Sequence, residues 1–361
     1  MDLVAAAVNL RDKTRGGVAD LTRMSRDRVG ATMLGARRGE SAVLYRYRPV
    51  AGVVPSGAPI LLIPPLGAPD FAYDLRRGCS LVEHLLGTGR TVFLVDYGAQ
   101  SFSDRRRGME HWVDGIVPWA VREVAAADAA DGGAGRLHLL GWSIGGVFSL
   151  LAVAAAADAG EPLPVLTLTD VAAPVDIAAV PMVAPLRPLA AVTGGRGLSA
   201  VYQALGSFPA PIVSAAFQLT AVDRLVTKPL TLLSRLDDRD CLAQIEAVDH
   251  LMNNMHGYPG RVFGQIYHLL LRNNDLADGK LVLSGRSIPL AAVDVPVLVL
   301  AGLRDVIAPL AAVEKVTELL TGSPEVRFAT APGGHLGVLT GRDARTTSWV
   351  HIDEFLDDHR G

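Results

Sequence analysis

The chain of 361 residues predicts an α/β fold built on a doubly wound, mainly parallel sheet, and three observations predict it. Short apolar runs bounded by Gly, Pro or Asp recur along the sequence, as strands buried on both faces do. Helix-like stretches ended by glycine lie between them, and that alternation is the pattern of βαβ units. Between one such strand and one such helix stands Gly141-Trp142-Ser143-Ile144-Gly145, a G-x-S-x-G strand-to-helix turn that lifts a serine hydroxyl into the open.

Residues 1–40 read as a helical, amphipathic segment with Arg and Asp toward solvent, and Ser41–Arg48 as a first strand. Pro59-Ile60-Leu61-Leu62-Ile63-Pro64 reads as a buried strand, Ser80–Leu86 as a helix closed by Gly87 and Gly89, and Thr91–Asp96 as another strand. Val113–Ala130 reads as a helix ended by Asp131-Gly132-Gly133. Arg136–Leu140 and Gly146–Ala157 are the strand and helix on either side of Ser143. Val165–Asp170, Val295–Leu300 and Val326–Thr330 complete the strands. The rhythm breaks between about residues 178 and 285, where Ala, Leu and Pro follow helical spacing. An insertion there would form a helical cap over the carboxyl ends of the strands, where open α/β sheets bind ligands. The expected organisation is an N-terminal helical segment (1–40), a core (41–177 and 286–361) and the cap (178–285).

Half the residues are apolar, a fifth are charged and the net charge is −3, so a large core is expected and a nucleic-acid partner is not. Cys79 and Cys241 lack disulfide-framework or metal spacing and read as ordinary thiols of a cytoplasmic protein. The N-terminus lacks a basic n-region and a long apolar run, so no signal peptide is expected. Leu137–Ala157 is apolar enough to span a bilayer. Its glycines at 141, 145 and 146 and its strand-like start favour a buried strand and helix, and no transmembrane segment is expected.

A serine hydroxyl needs a base to take its proton, and the base needs a partner to fix its tautomer. Asp305, in Leu300-Ala301-Gly302-Leu303-Arg304-Asp305, follows a late strand, and His335, in Ala331-Pro332-Gly333-Gly334-His335, follows the last one. Serine, then acid, then histidine, each at a strand's carboxyl end, is the order of the α/β-hydrolase fold. Asp170 and Asp176 are rival acids at the preceding strand. His138, inside a strand, and His268, inside a cap helix, suit the base role poorly. An oxyanion hole would draw on the N–H of Ile144 and on the loop Pro64-Pro65-Leu66-Gly67-Ala68. The prolines have no N–H there, so Leu66 is the first donor and Gly67 the next. No phosphate-binding glycine loop, dinucleotide motif or metal cluster is legible, so no cofactor is expected, with CoA possible as part of the substrate. Trp112 and Trp119 read as packing residues.

From about residue 59 onward these segments together resemble the class III polyhydroxyalkanoate synthases, an α/β-hydrolase-fold family. Pro59–Pro65 and Gly89–Val95 look like that family's early strands, Gly141–Leu150 like its nucleophile segment, and Asn273–Gly279 followed by Val295–Leu298 like its cap exit. Asp305-Val306-Ile307-Ala308-Pro309 and Gly333-Gly334-His335-Leu336-Gly337 look like its acid and base motifs. The family's nucleophile is Cys, and this chain has Ser143. A serine ester is more stable than a thioester, so loading from CoA is downhill, while the hydroxyl depends more on its base. The resemblance implies acyl transfer on a hydrophobic ester or acyl-CoA thioester, and Ser143 favours hydrolysis or a single transfer to an alcohol. A synthase joining 3-hydroxyacyl units and a silent lipid-binding or partner subunit are the alternatives. Those synthases work with a second subunit, and a homo-oligomer or a second synthase-like subunit is left open as a partner here.

Overall fold

The structure, a computed structural model, describes residues 2–32, 42–100, 102–180, 207–208 and 230–360. Strands β1 (Arg26–Thr32), β2 (Ala42–Tyr47), β3 (Ile60–Ile63), β4 (Val92–Asp96), β5 (Leu137–Trp142) and β6 (Val165–Val171) come first. Next come a short pair, β7 (Ser207–Phe208) and β8 (Tyr258–Pro259), and a hairpin, β9 (Lys280–Leu283) and β10 (Arg286–Pro289). Strands β11 (Val297–Gly302) and β12 (Val326–Ala331) complete the set. Among the described residues one eight-stranded sheet runs β1-β2-β4-β3-β5-β6-β11-β12. It is parallel from β4 through β12, and β2 runs antiparallel to both its neighbours. A β2 reversed at one end and the 4-3-5-6 centre make this the α/β-hydrolase fold.

Burial explains the apolar runs. Every residue of β3, β5 and β11 is buried, as central parallel strands covered on both faces must be. Helix α1 spans Leu3–Arg15, α2 spans Leu81–Gly87, α3 spans Val117–Ala130 and α4 spans Ile144–Asp158. The Ser80 hydroxyl caps α2 by accepting from the Glu83 N–H at 3.0 Å. Helix α4 is buried from Gly145 through Ala155, hence apolar on all sides. The bilayer-length stretch 137–157 is thus β5, a turn and α4. No described helix is long and apolar enough to cross a membrane.

The N-terminal segment departs from the expectation for residues 1–40. Helix α1 ends at Arg15, and Arg26–Thr32 is a strand on the sheet's edge, paired antiparallel with β2 through a bulge between Arg28 and Gly30. An edge strand exposed on most of its length carries charged residues. Arg26, Asp27 and Arg28 therefore read as a solvated helix face in the sequence. The described parts of the 178–285 insertion include α5 (Arg239–Asn253), α6 (Gly260–Gln265) and the helical turn Ile266–Arg272 that continues it. The rest of the expected cap, residues 181–206 and 209–229, lies outside the described residues. The β9–β10 hairpin straddles the expected boundary between 285 and 286.

Asp170 is the unusual residue of the core. It lies on β6, fully buried, and neither carboxylate oxygen has a hydrogen-bond partner. Its carboxyl group faces Gly146 in the first turn of α4, and a side chain at Gly146 would collide with it. Burial pushes the Asp170 carboxyl well above its ordinary value, because the charged form loses its water without gaining a partner. The folded state therefore keeps a proton that the unfolded state gives up at about pH 3.9. Stability falls as pH rises from there toward the raised folded value. Asp170→Val should raise stability by about 1–3 kcal/mol at pH 8, with a smaller gain at pH 4, read by thermal unfolding. Gly146→Ala should cost about 1–3 kcal/mol through overpacking, and less than that in an Asp170→Ala background.

Candidate active site

The turn between β5 and α4 is held by backbone contacts too close for side chains. A Cβ on Gly141 would stand 2.6 Å from the Gly146 Cα, and one on Gly145 would stand 2.5 Å from the Ile63 carbonyl oxygen and 2.6 Å from that of Pro64. Ser143 sits at φ 56°, ψ −128°, a strained region for a residue with a side chain. Its N–H donates to the Val171 carbonyl at 2.8 Å, and its own carbonyl accepts from the N–H groups of Gly146 at 2.9 Å and Val147 at 3.2 Å. Ser143 itself is half-buried.

Two further loops converge on it. The His335 Nε2 lies 2.9 Å from the Ser143 Oγ, and its Nδ1 lies 2.8 Å from the Asp305 Oδ2. Asp305 and His335 are almost fully buried. The other Asp305 oxygen accepts from the N–H groups of Ile307 at 2.8 Å and Ala308 at 2.9 Å, so one carboxylate is bound by three donors. The loops after β11 and β12 brace each other. A Cβ on Gly302 would meet the Gly333 carbonyl oxygen at 2.6 Å, and that oxygen accepts from the Arg304 N–H at 3.0 Å. A carboxylate accepting from Nδ1–H leaves the Nε2 lone pair facing the serine hydroxyl, the arrangement a general base needs.

The N–H of Ile144 opens α4, where helix amides lack intrahelical acceptors. Leu66 is buried in the loop after β3. That loop is tied by Tyr73, whose hydroxyl donates to the Ile63 carbonyl at 2.8 Å, and by Tyr97, whose hydroxyl donates to that of Pro64 at 3.2 Å. Because Gly145 touches the same two carbonyls, the start of α4 and the start of the loop share one edge.

The rival groups are occupied elsewhere. Asp170 lies beneath α4. Asp176 caps the turn Ile177–Ala179 and accepts from the Asn274 amide at 2.8 Å. The His138 Nδ1 pairs with the Thr167 Oγ1 at 2.9 Å, and burial pushes this ring down to about 4. Burial also pushes His111 down to about 4, so neither ring supplies a neutral-range titration. His268 lies in the turn Ile266–Arg272. Trp112 is buried and stacks on Phe148 with centroids 5.7 Å apart, and Trp119 packs near Gly30. Cys79 and Cys241 are both free thiols. Burial pushes Cys79 up, and its Sγ lies 3.2 Å from the Thr340 carbonyl oxygen.

Trp142 is a site residue that sequence reasoning passed over. Its indole N–H donates to the His335 carbonyl at 3.2 Å, and the two rings lie 5.9 Å apart. The available signal was an aromatic residue inside the G-x-S-x-G pattern, directly before the serine.

No family model matches the chain. The poly(3-hydroxyalkanoate) polymerase subunit PhaC of Allochromatium vinosum is 26% identical over 321 residues, covering 88% of this chain and 86% of that protein. The PhaC subunit of Thiocystis violacea is 24% identical over 320 residues, with coverage of 88% and 86%. Among solved structures, the mouse alpha/beta hydrolase domain-containing protein 10 overlays with a TM-score of 0.49 at 17% identity, covering 92% of this chain and 99% of that one. The chain thus has the α/β-hydrolase fold and is similar over most of its length to poly(3-hydroxyalkanoate) polymerase subunits.

Proposed function

We propose that this protein is a serine-nucleophile acyl-transfer enzyme, and the relay Ser143–His335–Asp305, with its two hydrogen bonds of 2.9 and 2.8 Å, carries the reading. His335 takes the Ser143 proton as the Oγ attacks the acyl carbonyl, and Asp305 holds the imidazolium that forms. The N–H groups of Ile144 and Leu66 receive the oxyanion. As the tetrahedral intermediate collapses, the bond to the alcohol or CoA sulfur breaks and His335 returns the proton to the leaving group. Water or an alcohol then gives its proton to His335 and attacks the Ser143 ester; as the bond to the Ser143 Oγ breaks, His335 returns that proton to the Oγ and an acid or a new ester is released. The substrate class is a hydrophobic acyl ester or acyl-CoA thioester.

A second reading, a transferase joining 3-hydroxyacyl units, is favoured by the similarity to PhaC subunits over 88% of the chain. Serine makes the acyl-enzyme an ester, so each transfer between two such esters on alcohol oxygens is close to balanced. The second reading predicts oligomeric product from 3-hydroxyacyl-CoA and the first predicts free acid and CoA.

Ser143→Ala should lower turnover of 3-hydroxyacyl-CoA or p-nitrophenyl esters by roughly 10³-fold or more and abolish labelling by an alkylphosphonate, read by mass spectrometry. Absence of labelling and turnover in the wild-type protein would favour a silent binding subunit instead. Trp142→Phe keeps a ring against His335 and removes its indole donor. One buried hydrogen bond of about 1 kcal/mol corresponds to a fall in kcat of roughly five-fold, with KM unchanged, measured by steady-state kinetics.

A further inference from the structure

The insertion reaches the segment after β3 at Gly67, as well as at Phe71 and Arg76. Gly67 stands directly after Leu66 and packs against the segment Met255–Tyr258. The Gly67 carbonyl accepts from the His256 N–H at 2.8 Å. Burial pushes the Tyr258 hydroxyl up to about 12, with the Gly67 backbone pulling against the shift, so Tyr258 stays neutral in the working range. The approach leaves no space for a side chain. A Cβ on Gly67 would lie 2.7 Å from the Tyr258 ring, 3.3 Å from the His256 carbonyl oxygen and 3.5 Å from the Met255 Cε.

The segment that makes these contacts is anchored on both sides. Before it, α5 is fixed to the core by Asp240, which pairs with Arg76 at 2.8 Å and with Arg345 at 3.2 Å, and by Asp238, which pairs with Arg342 at 3.0 Å. Gln244 on the same helix donates to the Thr340 carbonyl at 3.0 Å. After it, the Arg261 and Val262 N–H groups of α6 donate to the carbonyls of Arg105 at 2.9 Å and Arg107 at 3.0 Å. The Gln265 side chain bridges the Met109 N–H and the Glu110 carboxylate. A short stretch held at both ends crosses the loop and grips the peptide next to the proposed oxyanion donor.

We infer that Met255–Tyr258 is a strap that fixes the backbone at Gly67, directly after Leu66, and through it the direction of the Leu66 N–H, so that the insertion completes the oxyanion hole. Tyr258 and Gly67 are positioning residues in this account, acting through the Leu66 N–H. The inference rests on the assignment of Ser143 and Leu66 under Proposed function. A strap of this kind predicts a defect in transition-state stabilisation with little effect on substrate binding, because the ground-state carbonyl gains less from the hole than the oxyanion does.

The test uses the full chain with p-nitrophenyl butyrate and a p-nitrophenyl alkylphosphonate, comparing wild type, Tyr258→Phe and Gly67→Ala. Tyr258→Phe preserves the packed ring and removes only the hydroxyl, so it reports even where Gly67→Ala fails to fold. The expected result is a fall in kcat and in the phosphonylation rate of roughly ten-fold for Tyr258→Phe and more for Gly67→Ala, with KM within about two-fold and melting of Tyr258→Phe unchanged. Wild-type kcat in Tyr258→Phe, or a raised KM with kcat retained, would overturn the strap. A wild-type protein that shows no Ser143-dependent phosphonylation would defeat the underlying assignment of Ser143, a result distinct from failure of the strap.

Discussion

The first turn of α4 approaches the end of β3 so closely that only glycine fits at position 145, with the Ile63 and Pro64 carbonyls 2.5 and 2.6 Å from where a Cβ would be. That approach forces the strand-to-helix turn to be tight and puts Ser143 at a positive φ. It also brings the loop after β3 to the same edge as the first amide of α4. A wider turn would separate the serine from both. Strain in the backbone at Ser143 is balanced by its N–H bond to Val171 and by the two amides on its carbonyl, so the fold overdetermines a conformation that a free chain would avoid.

The other half of the site is fixed by loops bracing loops. The turns after β11 and β12 touch at Gly302 and Gly333, and that contact sets the distance between Asp305 and His335. Trp142 adds a third point by holding the His335 backbone from the elbow itself. The imidazole is thus located from two directions, by a carboxylate and by the residue beside the serine. Such placement matters for general-base chemistry because proton transfer demands hydrogen-bond reach.

Asp170 and the Tyr258 strap differ in kind from these contacts. Asp170 is a buried carboxylic acid with no hydrogen-bond partner, a local liability beneath the helix that carries the serine. The strap meets Gly67 through the His256 hydrogen bond and the close approach of the Tyr258 ring, contacts that join segments nearly two hundred residues apart. Both show how the surroundings of Ser143 depend on residues that lack any catalytic signature.

The sequence by itself determined the elbow, the order of serine, acid and histidine, and the strands of the central sheet, because each leaves a local mark. Doubly covered strands are apolar runs, tight turns are glycines, and a hydrophobic helix beside its strand follows from burial on all sides. The N-terminal edge strand was illegible because its polar residues face water, as those of a surface helix do. Only the tertiary structure decided that Asp305, and neither Asp170 nor Asp176, lies against His335, since all three follow or end strands on the same sheet edge. It alone decided that Trp142 reaches the His335 carbonyl and that Gly67 receives Tyr258. Such contacts join residues distant in sequence through the packing of loops, which no local periodicity encodes.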